Sequence, residues 1–152
     1  MFPNSHSDKE IYQVLHLNHQ HYAVPVQSII SVLALEKILS LPDTPNWLTG
    51  VVHVRNAIVP VVNLSFIFEV DSLADESRHP LLVLLHHPHD AQRWLALCVS
   101  DMTQLIDTEQ LAETSLRSSL HPCVKHVVDI DTKPLYLLDI SKLFEQLMKD
   151  QG

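Results

Sequence analysis

Glycine is the residue type that this sequence lacks most, since the 152 residues include only 2 glycines against 9 prolines. Glycine is the residue that adopts positive φ angles without steric cost. Tight turns in this chain must therefore place other residues at positive φ, and Asn and Asp tolerate that conformation best. We expect proline to form many of the remaining turns.

Cysteine is also scarce. Cys98 and Cys123 are too few for a disulfide framework, and their spacing matches no zinc ribbon. Cys98 lies in the apolar run WLALCV, where a buried thiol that packs as a small hydrophobic residue is the simplest interpretation. This usage is typical of a reducing, cytosolic compartment.

Basic residues and long apolar runs are scarce as well. The formal net charge is -8, which disfavours binding to nucleic acid and electrostatic anchoring to a membrane. No apolar run approaches the roughly 20 residues that a transmembrane helix needs. The first residues, MFPNSHSDKE, lack the order of a signal peptide. We therefore expect a soluble cytoplasmic protein whose partner is a protein or a small molecule.

Motifs of catalysis are missing too. The sequence contains no Gly-x-Ser-x-Gly, P-loop, Gly-x-Gly-x-x-Gly or His-Glu-x-x-His pattern. The carboxylate pair Asp129 and Asp131 brackets a predicted hairpin turn, where acidic residues are ordinary turn formers. The sequence predicts a binding protein that is not an enzyme and needs no cofactor.

Short β-branched segments between turns are what the sequence does contain. Four hairpins are predicted, at residues 11–26, 48–62, 80–99 and 124–138, and the polar stretch 71–80 is the best candidate for a linker. Residues 27–33 have apolar residues at helix-like spacing and predict one or two helical turns.

Two helices with N-caps are predicted after the second and fourth hairpins. Asn63 would cap LSFIF, and Asp139 would cap ISKLFEQLMK. The second helix is amphipathic, with one apolar face formed by Ile140, Leu143, Phe144 and Leu147.

The two halves of the chain also resemble each other at an offset of 72–76 residues. YAVPV at 22–26 corresponds to WLALCV at 94–99, and VVNLSFIFE at 61–69 corresponds to LLDISKLFE at 137–145. Chance similarity among β-rich segments is the alternative. A true repeat predicts a small sheet of about five strands in each half, closed into a barrel, with a groove between the two barrels.

The stretch GVVHVRNAIVPVVNL at residues 50–64 is an apolar hairpin that contains one arginine. A tight turn at Arg55-Asn56 would expose the arginine to water, and Asn56 would replace the usual glycine. Pro60 cannot donate a hydrogen bond within a sheet, which predicts an edge strand or a bulge.

This stretch resembles the central block of CheW-like domains, the coupling modules of bacterial chemosensory pathways. Upstream YAVPVQSIISVL and downstream YLLDISKLF resemble further segments of the family, so the resemblance spans about residues 11–147. The residues of the central block that carry it are Pro45, Trp47, Gly50, Val51, Val54-Arg55, Val59-Pro60-Val61-Val62 and Asn63-Leu64.

The resemblance implies a mainly β fold with two five-stranded SH3-like barrels side by side, short helices and a C-terminal amphipathic helix. It implies a single CheW-like domain over residues 1–152, with two barrel subdomains divided near residues 71–80. It also implies a non-enzymatic adaptor that binds the regulatory domain of a CheA-like histidine kinase and the cytoplasmic tip of a methyl-accepting chemoreceptor. Recruitment to membrane-associated receptor arrays would follow without membrane insertion.

Arg55 occupies the position that the family associates with receptor coupling, and Val54 and Asn56 flank it. Ile29, Ser31, Val32 and Leu33 are the candidates for the kinase-facing side, although a place in the core is the favoured alternative for Ile29, Val32 and Leu33.

Five departures mark a divergent member of the family, one of which is a second half that is about two residues shorter around Asp101 to Leu111. The other four concern single residues. Asn56 replaces a glycine, Asn63 replaces an aspartate, Ser31 stands where many members are acidic, and a glycine expected near Lys125-His126 is absent. A twitching-motility, type IV pilus or other chemosensory pathway is therefore as reasonable as the flagellar one.

Two histidine-rich turns support a different hypothesis. A stand-alone β-barrel protein could use them to bind a metal or small ligand, although solvated turn histidines are the simpler interpretation, because alternation along a strand separates near neighbours. We therefore predict no metal site. The histidines concerned are His16, His19 and His21, and His86, His87 and His89.

Overall fold

The computed structural model describes residues 10–17, 19–34, 37–68, 81–110, 116–117 and 121–149. The predicted linker at residues 71–80 lies outside these ranges. The described residues form eleven strands and two α-helices, with short 3-10 turns at Val26–Ser28 and Thr108–Gln110. The fold is mainly β, as the sequence predicts.

The strands alternate with short turns along the chain. They are β1 (Ile11–Leu17), β2 (Gln20–Pro25), β3 (Ile29–Ala34), β4 (Leu48–Val54), β5 (Ala57–Val62), β6 (Leu81–His87), β7 (Asp90–Val99), β8 (Asp101–Asp107), β9 (Leu116–Arg117), β10 (Val124–Ile130) and β11 (Lys133–Leu138). The helices are α1 (Leu64–Ile67) and α2 (Ile140–Lys149).

Two sheets contain all of these strands. One has six strands in the order β8-β1-β2-β11-β10-β9, and the other has five in the order β3-β6-β7-β5-β4. If the two-residue strand β9 is set aside, the orders correspond one to one. In each sheet a parallel pair joins two antiparallel hairpins, β2 with β11 in one and β5 with β7 in the other. The internal repeat is thus present in the topology.

The predicted division of these strands between the two halves of the chain is wrong. β6 and β7 follow residues 71–80, yet they lie in the five-stranded sheet with β3, β4 and β5. Conversely, β1 and β2 begin the chain but pair with β8 and β11. The halves exchange their first hairpins, and a boundary near 71–80 therefore separates the repeats but not the sheets.

Alternation along the strands builds a core on each face of each sheet. On β1, Leu15 and Leu17 enter one apolar cluster, whereas Tyr12 and Val14 enter another. Side chains of β6 divide in the same way between the first cluster and a third. The first cluster contains residues of both sheets and of α2, so it holds the sheets together. The other two clusters belong to one sheet each.

The hairpins and the helix caps agree with the prediction. The Asn63 side chain accepts a hydrogen bond from the backbone N–H of Phe66 at 3.2 Å, and the Asp139 carboxylate accepts one from Lys142 N–H at 3.1 Å. The apolar face predicted for α2 is buried, because Ile140, Leu143, Phe144 and Leu147 all belong to the shared core.

Two local predictions are wrong. Residues 27–33 form the end of a 3-10 turn and then strand β3 instead of helical turns, because β3 pairs with the apolar strand β6. The edge-strand alternative for Pro60 is the other, because β5 is an interior strand, whereas a register shift between Leu48 and Gly50 on the paired strand β4 lies close to the proline. Its missing N–H costs the sheet little on the β7 side, since the pairing between β5 and β7 begins at Val61.

Candidate functional site

The hairpin tip between β4 and β5 carries the arginine that the sequence singles out. Val54 pairs with Ala57, which leaves Arg55 and Asn56 as the two turn residues. Their φ angles are 50° and 65°, the left-handed pair that a tight two-residue hairpin requires. Both side chains are exposed. The turn geometry therefore lifts Arg55 out of an apolar hairpin into solvent.

A cavity of about 540 Å³ lies beside this tip. Buried Val52 and Leu82 form apolar parts of its wall, and the positive charges come from Arg55 and Lys37. None of the nine described lining residues is acidic; they are Leu33, Ala34, Lys37, Leu39, Val52, His53, Val54, Arg55 and Leu82. An apolar surface with two cations suits a partner that presents apolar side chains next to carboxylates.

One wall of the cavity depends on a contact between Leu39 and β4. The backbone N–H of Leu39 donates to Val51 O at 2.8 Å, and Val51 N–H donates to Leu39 O at 2.9 Å. Gly50 permits this approach, since a Cβ there would lie 2.5 Å from Leu39 O. The sequence did not indicate that Lys37 and Leu39 belong to the site, because an isolated bridge leaves no periodic pattern.

Strand β3 carries the candidates for the kinase-facing side. It is one of the two edge strands of its sheet, and Val32 is 39% exposed. Ile29 and Leu33 are half-buried against core clusters. The hydroxyl of Ser31 is buried and has no hydrogen-bond partner among the described residues. Val32 is thus the residue of this set that offers an apolar side chain to a partner.

The structure brings part of the two candidate sets together. Leu33 from β3 lines the same cavity as Val54 and Arg55 from the hairpin. Asn56, Ile29, Ser31 and Val32 lie outside that lining. A partner at the tip and a partner at the β3 edge would therefore be neighbours.

The histidines do not converge. His16 and His21 face each other across β1 and β2 with ring centroids 4.2 Å apart, whereas His19 lies in the exposed turn between them. His86 and His87 each make a hydrogen bond to a neighbouring backbone group. Over the described part of the chain, no three His, Cys, Asp or Glu side chains are arranged to hold a metal ion.

Cys98 is a poor nucleophile in this fold. Burial raises the pKa of its thiol to about 11, so the reactive thiolate is disfavoured near neutral pH. The thiol packs against the core of the five-stranded sheet, which agrees with the interpretation of Cys98 as a small hydrophobic residue.

A second tip, which the sequence did not indicate as a site, repeats the geometry of the first. Asp131 and Thr132 turn the β10–β11 hairpin with φ angles of 52° and 67°. A cavity of about 360 Å³ lies beside them. Its wall is more polar and includes His16, His21, Thr103, Asp131 and Lys133.

These features define a class of protein: a two-sheet β scaffold with exposed hairpin tips and a cavity beside each tip. The sequence model of the CheW-like domain matches residues 12–148, and the chain therefore belongs to the CheW-like family. Members of this family are non-catalytic scaffold proteins, so the chain is a CheW-like chemotaxis scaffold and not an enzyme. Among the described residues, no helix is long and apolar enough to cross a membrane.

Individual relatives match about nine tenths of the chain at low identity. The chain is 24% identical to the chemotaxis protein CheW of Thermotoga maritima over 136 residues, which cover 90% of this chain and 88% of that protein. It is 19% identical to the probable chemotaxis protein CheW of Rhizobium etli over 140 residues, which cover 91% and 89%.

A solved structure shares the fold. The crystal structure of the scaffolding protein TtCheW from Thermoanaerobacter tengcongensis matches with a TM-score of 0.72 and 19% identity, over 90% of this chain and 92% of that one. Identity this low identifies a divergent member of the family.

Proposed function

We propose that this chain couples the regulatory domain of a CheA-like histidine kinase to the cytoplasmic tip of a methyl-accepting chemoreceptor. Members of the CheW-like family interact generally with CheA and with chemoreceptors. The output is chemotaxis or type IV pilus (twitching) motility. The protein works in the cytoplasm and reaches membrane-associated receptor arrays through its partners.

The observation that carries the proposal is the position of Arg55 at an exposed tip beside an apolar cavity. A receptor tip is a coiled coil, and coiled-coil helices present apolar side chains beside charged ones, glutamates among them, at fixed spacings. Arg55 and Lys37 can pair with the carboxylates while Val54 and Leu33 contact the apolar side chains. Because its guanidinium is planar, Arg55 pairs with a carboxylate in a more directional geometry than Lys37 does.

The kinase is assigned to the β3 edge. An outermost strand presents unpaired backbone groups and alternate side chains, which another β domain can contact. Val32 supplies an exposed apolar side chain there, next to Ser31, whose buried hydroxyl has no hydrogen-bond partner within the part of the chain that the structure describes. The regulatory domain of the kinase is itself similar to CheW-like modules, and so it offers comparable strand edges.

Separate binding measurements test the two assignments. With a CheA-like regulatory domain and a receptor-tip fragment titrated by calorimetry, Val32→Asp is expected to weaken kinase binding about tenfold or more and to spare receptor binding. Arg55→Glu is expected to do the reverse. Leu105→Asp is the matched control, because Leu105 is 61% exposed on β8, the corresponding outer strand of the other sheet.

Two results would contradict the proposal. One is a wild-type chain that binds neither partner. The other is a pair of folded variants, Val32→Asp and Arg55→Glu, with wild-type affinity for both partners. If Leu105→Asp weakens kinase binding as much as Val32→Asp does, the assignment of the kinase to β3 is wrong.

A further inference from the structure

Two opposite charges face the cavity of about 360 Å³ beside the β10–β11 tip. Asp131 lies in the turn, and Lys133 begins β11 two positions later. Both residues are exposed, and neither forms an ion pair with any residue that the structure describes. One wall of the cavity therefore offers a carboxylate and an ammonium group, each available to a ligand group of the opposite charge.

The floor of this cavity is apolar. Val14 of β1 and Leu135 of β11 are each 3% exposed, and half-buried Ile130 packs against the same apolar cluster. An aliphatic group placed on this floor would be removed from water. The cavity shares no lining residue with the cavity beside Arg55.

A hydroxyl and two imidazoles complete the polar part of the wall. The rings of His16 and His21 stack with centroids 4.2 Å apart, and His16 Nε2 lies 3.4 Å from Thr103 Oγ1. Because that contact is long and weak, both groups keep the capacity to bond a ligand. Burial, the charge of His16 and then the charge of Lys133 lower the pKa of His21, so Lys133 lies close to the pair. A carboxylate would offset the positive charge on this side of the cavity.

The spacing of the two charges favours a short zwitterion. Asp131 and Lys133 are two positions apart, so their Cα atoms are separated by at most about 7 Å. An α-amino acid carries its ammonium and carboxylate groups on one carbon atom, and it can therefore contact both side chains at once. Its own side chain would then reach the aliphatic floor.

We propose that this cavity binds a small aliphatic amino acid. Asp131 accepts hydrogen bonds from the α-ammonium group, and Lys133 and Thr103 donate to the α-carboxylate. Val14 and Leu135 contact the aliphatic side chain. The volume lies within the range of about 300–1,000 Å³ that small-molecule sites occupy. Neither β3 nor the Arg55 tip takes part, so this site adds ligand binding to the coupling of kinase and receptor.

The test compares L-leucine with two analogues that each lack one charge. 4-Methylpentanoate lacks the ammonium group, and 3-methylbutylamine lacks the carboxylate. Each compound is titrated into the ¹⁵N-labelled protein while the backbone N–H signals of Thr132 and Lys133 are followed by NMR. We expect L-leucine to shift these signals saturably. Each analogue should bind about tenfold more weakly, because it loses one charged hydrogen-bonded pair.

Two variants assign the charges to the side chains. Asp131→Asn should weaken the binding of L-leucine and of the amine about tenfold and leave that of 4-methylpentanoate unchanged. Asparagine tolerates the φ of 52° at residue 131, so this variant keeps the turn. Lys133→Gln should weaken the binding of L-leucine and of 4-methylpentanoate and leave that of the amine unchanged. Arg55→Gln is the matched control and should change none of the three affinities.

The proposal is overturned if L-leucine produces no saturable shift, if all three compounds bind equally to the wild-type protein, or if both variants retain full affinity for L-leucine. The comparison among the three compounds needs no variant, so the test does not depend on how the variants fold.

Discussion

The two hairpin tips occupy the same position in the two sheets and carry opposite charges. Arg55-Asn56 ends the β4–β5 hairpin, and Asp131-Thr132 ends the β10–β11 hairpin. All four residues have φ angles between 50° and 67°. The backbone of the repeat is therefore conserved between the two tips, while the side chains at the tips are not. Charge, and not turn geometry, distinguishes the tip that we assign to the receptor.

The cavities beside the tips differ in the same way. The cavity at Arg55 has apolar walls and two cations, whereas the cavity at Asp131 contains a stacked histidine pair, a threonine and one residue of each charge. Equivalent strands contribute to both, since β3, β4 and β6 correspond to β8, β10 and β1, although β2 and β11 also line the cavity at Asp131. The fold thus builds a cavity beside each tip, and the apolar walls and two cations of the cavity at Arg55 suit a helix that carries apolar and acidic side chains.

The strands that carry the tips both have a register shift near their starts, but they differ in what packs against it. The register of β4 shifts between Leu48 and Gly50, and that of β10 shifts between Val124 and His126. Gly50 lies under the bridge to Leu39, whereas the equivalent His126 is exposed. This difference explains why the glycine expected near Lys125-His126 can be absent.

The largest predicted effect sharpens this last difference. Gly50→Ala should lower the free energy of unfolding by about 2–3 kcal/mol, because the new Cβ would lie 2.5 Å from Leu39 O and 2.6 Å from Ile38 Cγ2. His126→Ala should change it by less than about 0.5 kcal/mol. Urea denaturation of both variants gives the comparison. If the Gly50→Ala and His126→Ala variants have the same free energy of unfolding, the bridge to Leu39 accommodates the new Cβ without loss of stability, which would contradict this explanation.

A smaller effect is expected at the second residue of each turn. Thr132 is β-branched and has a φ of 67°, a strained conformation that glycine adopts freely. Thr132→Gly should raise the free energy of unfolding by about 0.5–1 kcal/mol. This value is the strain that is relieved minus the stability that is lost because glycine increases the entropy of the unfolded chain. Asn56→Gly should have almost no effect, because asparagine tolerates this region. Thermal denaturation would measure both, and a destabilised Thr132→Gly variant would contradict this account of strain.

The smallest effect concerns pH and the second cavity. Burial lowers the pKa of His21, and the neighbouring charges of His16 and Lys133 lower it further. As the pH falls below about 6.5, the unfolded chain therefore takes up this proton before the folded chain does. The stability contributed by neutral His21 is present at higher pH and is lost as the pH falls through this window. His21→Gln should flatten the pH dependence of the unfolding midpoint between pH 7 and 5.5. A slope equal to that of the wild-type protein would contradict the role given to His21.

Local features of this fold follow from the sequence because they depend on neighbouring residues. The Arg55-Asn56 turn, the two helix caps and the apolar face of α2 are set by side chains within a few positions of each other. The resemblance between the halves also predicts the repeat, since matched segments occupy matched strands.

The exchange of hairpins could not be predicted in this way. It depends on the parallel pairing of β2 with β11, where His21 is paired with Leu135. No local pattern distinguishes that partner from a strand of the same half. β3 was missed for a similar reason, because its pairing with β6 overrides the helix-like spacing of residues 27–33. The cavities also join distant segments, which hid Lys37 and Leu39 from sequence reasoning.

The most direct test of the difference between the tips is the affinity of the protein for a receptor-tip fragment after charge reversal at each tip. The measurement compares the wild-type chain, Arg55→Glu and Asp131→Lys by calorimetry at fixed ionic strength. We predict that Arg55→Glu weakens binding about tenfold or more, while Asp131→Lys retains wild-type affinity. Equal affinities for all three folded proteins, or a loss confined to Asp131→Lys, would contradict the assignment of the receptor to the Arg55 tip.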